Sequence, residues 1–143
     1  MKKLVFMCQG IVQIFVGLGA VVCGALMILV PSGALLEMPP DMLKHTPFHD
    51  LLVPGVILFL VNGVGQLVAA VLSLRRHPLA GYVGAVFGMG LMIWIFVQVS
   101  LIGGGHILQY VYFLLGVLEI ALSFLIQNYL GAMKDSAAAA HTC

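Results

Sequence analysis

Residues 51–102 read LLVPGVILFLVNGVGQLVAAVLSLRRHPLAGYVGAVFGMGLMIWIFVQVSLI, and this stretch decides the fold. It holds two apolar runs, 51–74 and 79–102, each of 24 residues and separated only by the four residues RRHP. An α-helix rises about 1.5 Å per residue, so each run is long enough to cross a hydrocarbon core of about 30 Å. The stretch therefore predicts a hairpin of two membrane-spanning helices.

The composition of the whole chain also indicates a membrane protein. Of its 143 residues, 62% are hydrophobic and 8% are charged, and the mean hydropathy is +1.16. Soluble domains contain about 45–50% apolar and about 25% charged residues. The net charge of +1 and the lack of long basic runs do not favour nucleic acid as a partner. We expect a single integral membrane domain that has the lipid bilayer as its solvent.

Two further apolar runs flank the hairpin, at 4–30 and 107–130. The first follows two lysines, but its 27 residues far exceed the apolar core of about 7–15 residues in a secretory signal, so we expect an uncleaved first span. Residues 31–50 form the outer hydrophilic loop, and 131–143 form a cytoplasmic tail. The predicted fold is an all-α, transmembrane four-helix bundle.

The basic residues predict the orientation of this bundle. Short loops rich in Lys and Arg stay on the cytoplasmic side of a membrane. One side of the predicted bundle holds five of the six basic residues, and the other side holds only Lys44. The five are Lys2, Lys3, Arg75, Arg76 and Lys134. We therefore expect both termini to be cytoplasmic.

Glycines at helical spacing predict two helix-packing seams. Gly10, Gly17 and Gly24 recur every seven residues in the first run, and Gly84 and Gly88 lie four apart in the third. Small residues let helix backbones approach closely in lipid, where the hydrophobic effect does not drive helix association. These seams favour close packing within the chain, in a homo-oligomer or in a larger membrane complex.

Four polar side chains within the runs form the main candidate site. Glu119 is the one ionisable side chain inside a run, and Asn62 lies at a similar depth, about 17–18 Å below the outer boundary at about 1.5 Å per residue. Gln66 follows Asn62 by four residues and so shares its helical face. Gln13 in the first run lies at the depth of Gln66. We predict an intramembrane polar cluster of these four side chains.

Two interpretations of the cluster remain open. A protonatable Glu beside amides is what a proton-coupled carrier uses, since gaining or losing a proton changes which partner it prefers. Alternatively, Glu119 and Asn62 simply hydrogen-bond two helices together, which contributes about 0.6–2 kcal/mol.

Other polar residues give fewer indications of chemistry. Trp94 and Gln98 lie four residues apart and share a polar face in the outer half of the third run. His45 and His49 are candidate metal ligands, but Pro47 between them disturbs the helical register that a shared ligand face needs. The three cysteines form no CxxC pair. We therefore predict no metal and no cofactor.

The segments LFLVNG (58–63) and MIWIFVQV (92–99) carry a family resemblance. The region around them resembles a group of small four-span bacterial inner-membrane proteins without an assigned activity. In general layout the chain is also similar to DoxX-like four-span proteins. The resemblance implies a multi-pass protein of the bacterial cytoplasmic (inner) membrane, and it carries over no catalytic residue.

The sequence favours a non-enzymatic membrane subunit or accessory protein, because its glycine seams are typical of close helix packing. The alternative is a proton-coupled small-molecule transporter that uses Glu119 and works as an oligomer. A membrane redox subunit is a third hypothesis. It is the least favoured, since all five histidines lie in predicted loops or in the tail and none lies within a run.

Overall fold

The computed structural model describes residues 2–30, 52–102 and 107–142. Within these ranges the chain forms helices and no strand. The elements, in chain order, are α1 (Lys2–Leu29), α2 (Leu52–Ile57), a π-helical segment (Leu58–Gly65), α3 (Gln66–Leu74), α4 (Ala80–Ile102) and α5 (Ile107–Thr142). We refer to α2, the π segment and α3 together as span two, because they follow one another without a break.

Four helices in the described ranges are long and apolar enough to cross a membrane. They are Lys3–Leu29, Leu52–Leu74, Ala80–Ser100 and Ile107–Ala140. In the described ranges the prediction of an all-α chain with four such helices is confirmed, and the length and composition of these helices are those expected of a multi-pass membrane protein. Many large apolar side chains are exposed along these helices, for example Phe96 at 70% and Leu114 at 65%. That exposure fits a bundle that lipid surrounds.

The last helix is longer than the span predicted at 107–130. It continues to Thr142 and so contains 36 residues, a length of about 54 Å at about 1.5 Å per residue. No proline interrupts its C-terminal part, and residues 137–140 are alanines, which have the highest helix propensity. Residues 131–140 are all exposed. The predicted tail is thus a helical extension of the bundle.

Span two and α4 are joined by a tight turn at 75–79. The amide of His77 donates to the carbonyl of Leu72 at 2.9 Å, and that of Arg76 donates to Ser73 at 3.0 Å. This pair of bonds is the Schellman arrangement, which closes a helix with a residue in the left-handed conformation. Arg76 takes that position with φ of 55°. The basic turn is therefore a defined structure.

The helices pack in two pairs, α1 with span two and α4 with α5. Contacts of α1 with α5 and of α3 with α4 join the pairs into one bundle. Gly10, Gly17 and Gly24 all face span two. A Cβ on Gly17 would lie 2.9 Å from Leu67 Cγ, and one on Gly24 would lie 2.9 Å from the carbonyl oxygen of Gly55. Gly24 thus lies against the backbone of span two, whereas Gly10 and Gly17 mainly accommodate leucine side chains.

Two apolar clusters fill the interior at different heights. The Phe6 cluster contains Phe6, Ala80 and Ile126, and the Val16 cluster contains Val16, Leu91 and Ile95. Along α1 and α5 the residues between these two clusters include four of the eight buried polar side chains in the described part of the chain, which are Gln9, Gln13, Glu119 and Ser123. The functional candidates therefore lie in a layer with apolar packing on both sides.

Candidate functional site

A set of fully buried polar side chains, which we call the polar core, occupies the layer between the two apolar clusters. All of its members are at most 1% exposed. They come from α1, α3 and α5 and are Gln9, Gln13, Gln66, Ser73, Glu119 and Ser123. Hydrocarbon offers polar groups no hydrogen bonds, so such side chains turn toward one another inside the bundle.

Glu119 and Gln66 form the centre of the polar core. The Gln66 Nε2 group lies 3.1 Å from each carboxyl oxygen of Glu119 and donates to both. The same nitrogen lies 3.4 Å from the carbonyl oxygen of Phe87. A single amide from span two therefore holds the carboxyl group of α5, and it also reaches the backbone of α4.

Two further hydrogen bonds extend the polar core toward the end of the bundle where α1 begins. Ser73 donates to Gln13 Oε1 at 2.8 Å, and Gln9 Nε2 donates to Ser123 Oγ at 3.0 Å. The first bond joins span two to α1, and the second joins α1 to α5. Together with the Gln66–Glu119 contact, each bond in the core connects two different membrane-spanning helices.

Buried polar side chains inside and outside the polar core retain unused hydrogen-bonding capacity. Five buried side-chain atoms have no hydrogen-bond partner within the described residues. They are Gln9 Oε1, Gln13 Nε2, Asn62 Oδ1, Gln66 Oε1 and Gln127 Nε2. An unpaired polar group in hydrocarbon costs several kcal/mol, so a further hydrogen-bonding partner at these atoms would stabilise the bundle. They are available to a polar ligand.

Helix α4 contributes space to the core through three glycines. Gly81, Gly84 and Gly88 follow at intervals of three and four, which places them on one face. A Cβ on Gly84 would lie 2.6 Å from Ser123 Oγ and would also collide with Gln9 Nε2, and one on Gly88 would lie 3.1 Å from Glu119 Cβ. The glycines of α4 therefore accommodate the polar side chains of α1 and α5.

Asn62 lies in the π segment, eight residues that the sequence did not predict to differ from an α-helix. Its side chain is 1% exposed, and the structure gives it no bond to Glu119. A π-helix has i→i+5 hydrogen bonds and therefore more residues per turn than an α-helix. Asn62 and Gln66, four residues apart, are thus offset around the helix axis and do not lie directly above one another. Asn62 and Gln66 are both buried, but only Gln66 contacts the carboxyl group.

The remaining predicted residues either bond elsewhere in the polar core or lie outside it. Gln13 is in the core, but its bond is to Ser73 and not to Glu119. Trp94 is half-buried and packs against the Val16 cluster, and Gln98 is half-buried further along α4. The proposed metal ligands His45 and His49 lie outside the described residues.

Three members of the polar core were not predicted as site residues: Gln9, Ser73 and Ser123. A signal for two of them is present in the sequence. Gln9 precedes Gln13 by four residues and Ser123 follows Glu119 by four, so each shares a helical face with a residue of the predicted polar cluster. The same spacing that linked Asn62 to Gln66 could have identified them.

The chemistry of the core is that of hydrogen-bond exchange and protonation. The polar core consists of three glutamines, two serines and one glutamate, and it contains no Lys or Arg. The carboxyl group can take up or release a proton, while the amides can donate or accept as they rotate.

No family model matches the chain, and no curated protein and no solved structure matches it.

Proposed function

We propose that this protein is a non-enzymatic, proton-coupled carrier of a small polar solute, and that Glu119 is its protonation site. The observation that carries the proposal is the setting of Glu119: a fully buried carboxyl group, held on both oxygens by one amide from another membrane-spanning helix. Ionisable residues inside a membrane are rare and mark ion or substrate pathways. The solute changes no covalent bond during transport.

A proton on Glu119 would change its contact with Gln66. An ionised carboxylate accepts hydrogen bonds at both oxygens, which fits the two 3.1 Å contacts. A neutral carboxyl group accepts at one oxygen and donates from the other. Gln66 Oε1, which has no partner among the described residues, is an acceptor for that proton once the amide rotates. Protonation of Glu119 would thereby change the hydrogen bonding that joins span two to α5.

The unpaired atoms of the core support a polar solute as the second ligand. Gln9 Oε1 offers an acceptor and Gln13 Nε2 a donor, and both belong to side chains that are 0% exposed. A solute with both donor and acceptor groups would satisfy them. Four helices enclose little space, so we propose that the carrier works as an oligomer.

Reconstitution tests this function directly. The purified protein is placed in liposomes that contain a pH-sensitive dye, and small neutral, cationic and zwitterionic solutes are added outside under an imposed pH gradient. We expect at least one solute to produce proton movement that protein-free liposomes do not show. If every solute gives the same trace with and without protein, the carrier proposal is wrong.

We further propose that the protein lies in the bacterial cytoplasmic membrane with both termini in the cytoplasm. Lys3, Arg75, Arg76 and Lys134 support this orientation, since basic residues in short loops remain inside. A reporter enzyme that is active only in the cytoplasm is expected to work when fused to either end, whereas a periplasm-specific reporter is expected to stay inactive. Activity of the periplasmic reporter at one end would contradict the orientation.

A second candidate function is that of a subunit or accessory partner of a larger membrane assembly. The helical extension of α5 at 131–140 favours it, because all ten of its residues are exposed and because it reaches past the apolar run predicted at 107–130. Affinity purification in mild detergent should then return a stoichiometric second protein, and deletion of 133–143 should abolish its recovery. Recovery of the chain alone would count against this candidate.

A further inference from the structure

We propose that the pocket between the start of α1 and the turn after α3 binds an anionic phospholipid. In this proposal the lipid phosphate lies between Lys3 and Arg76, and an acyl chain lies against Phe6, Met7 and Leu74. The site is separate from the polar core and does not depend on the function proposed above.

The pocket combines cationic and apolar groups at one end of the bundle. It has a volume of about 130 Å³ and is lined by Lys3, Phe6, Met7, Leu74 and Arg76. Lys3 and Arg76 are exposed, whereas Phe6 is 5% exposed. The two charges therefore lie at the rim with the exposed side chains of Met7 and Leu74, and Phe6 is the buried apolar side chain of the pocket.

The backbone of Arg76 is a second, independent observation. Its φ of 55° is left-handed, and the position it occupies after α3 is one where glycine is usual. An arginine is strained there, and strained backbone conformations concentrate at functional sites. The bonds from His77 to Leu72 and from Arg76 to Ser73 fix the turn. The chain thus keeps a guanidinium group at the pocket rim despite a backbone that favours glycine.

An anionic phospholipid matches the pocket in charge and in depth. None of the five lining residues is acidic, so the rim attracts anions. The pocket lies where the apolar spans end, which is the level of lipid headgroups. Basic pockets between membrane helices on the cytoplasmic side bind anionic headgroups in this way. A phospholipid offers the phosphate for the rim and the hydrocarbon for Phe6, Met7 and Leu74.

Lipid binding to the purified full chain tests the site. The protein in neutral detergent is titrated with phosphatidylglycerol, and bound lipid is counted by native mass spectrometry. Each basic residue near a membrane surface contributes about 1 kcal/mol, so Lys3→Gln and Arg76→Gly should each weaken binding about fivefold. Arg76→Gly suits the left-handed position and so preserves the turn. Arg76→Lys retains the charge and is expected to retain the affinity.

Arg75→Gln is the matched control, because Arg75 lies in the same turn but does not line the pocket. It removes the same charge and is expected to leave the affinity within twofold of the unsubstituted chain. Equal weakening by Arg75→Gln and Arg76→Gly would overturn the proposal, since it would show only a general attraction of charge. Phosphatidylcholine that binds as tightly as phosphatidylglycerol would also overturn it. Competition by millimolar inorganic phosphate would overturn it too, because the apolar part of the pocket would then be irrelevant.

Discussion

Glu119→Gln is expected to reduce solute-coupled proton movement in liposomes to the level of protein-free liposomes. The amide has nearly the shape of the carboxyl group and keeps one oxygen that can accept from Gln66 Nε2, but it cannot take up a proton. The fold should survive, because only one of two hydrogen bonds to Gln66 is lost. The expected loss of stability is about 1 kcal/mol, measured by unfolding in mixed micelles.

Asp135→Asn is the control for this experiment. It makes the same change from carboxylate to amide on the same helix, but at an exposed position in the extension of α5. We expect it to leave proton movement unchanged, and we expect Glu119→Asp to restore part of the activity that Glu119→Gln loses. Proton movement that is equal in Glu119→Gln and in the unsubstituted protein would show that Glu119 has only a structural role.

The sequence predicts the fold well because lipid leaves few alternatives. Two apolar runs of 24 residues joined by four residues must form a hairpin of helices, since every backbone group in hydrocarbon needs an internal partner. The same argument turns Gln66 and Glu119 inward. Depth, however, pairs Glu119 with Asn62, whereas in the bundle Glu119 contacts Gln66. Burial of polar groups in a membrane is thus a stronger constraint on sequence than in a soluble domain.

The details of the polar core depend on helix rotation, which sequence spacing leaves open. Depth groups Gln13 with Gln66, whereas in the bundle the hydrogen-bond partner of Gln13 is Ser73. The π segment changes the helical register between Asn62 and Gln66, and no residue of its sequence LFLVNGVG (58–65) predicts a π-helix. The role of Gly84 also becomes visible only once Gln9 and Ser123 are known to meet beside it. Pairing across the bundle is therefore a property of three-dimensional packing.

Gly24 is the glycine of α1 that lies nearest to backbone atoms of span two, which makes Gly24→Ala the most informative test of the packing. A Cβ there would lie 2.8 Å from the backbone nitrogen of Phe59 and 2.9 Å from the carbonyl oxygen of Gly55. Backbone atoms cannot rotate away as a side chain can, so the two helices must separate. Overpacking of this kind costs about 1–3 kcal/mol. We expect a loss in that range when unfolding is followed by denaturing detergent titration.

Two other glycines provide a graded comparison. Gly10→Ala would place its Cβ 2.7 Å from Leu74 Cγ, a side chain that can change rotamer, so its cost should be smaller than that of Gly24→Ala. The nearest atom to a Cβ on Gly90 is 4.0 Å away, so Gly90→Ala should not destabilise and gains up to about 1 kcal/mol in helix propensity. The expected order of stability is Gly90→Ala, then Gly10→Ala, then Gly24→Ala. A Gly24→Ala protein as stable as Gly90→Ala would mean that α1 and span two do not approach each other as closely as the bundle requires.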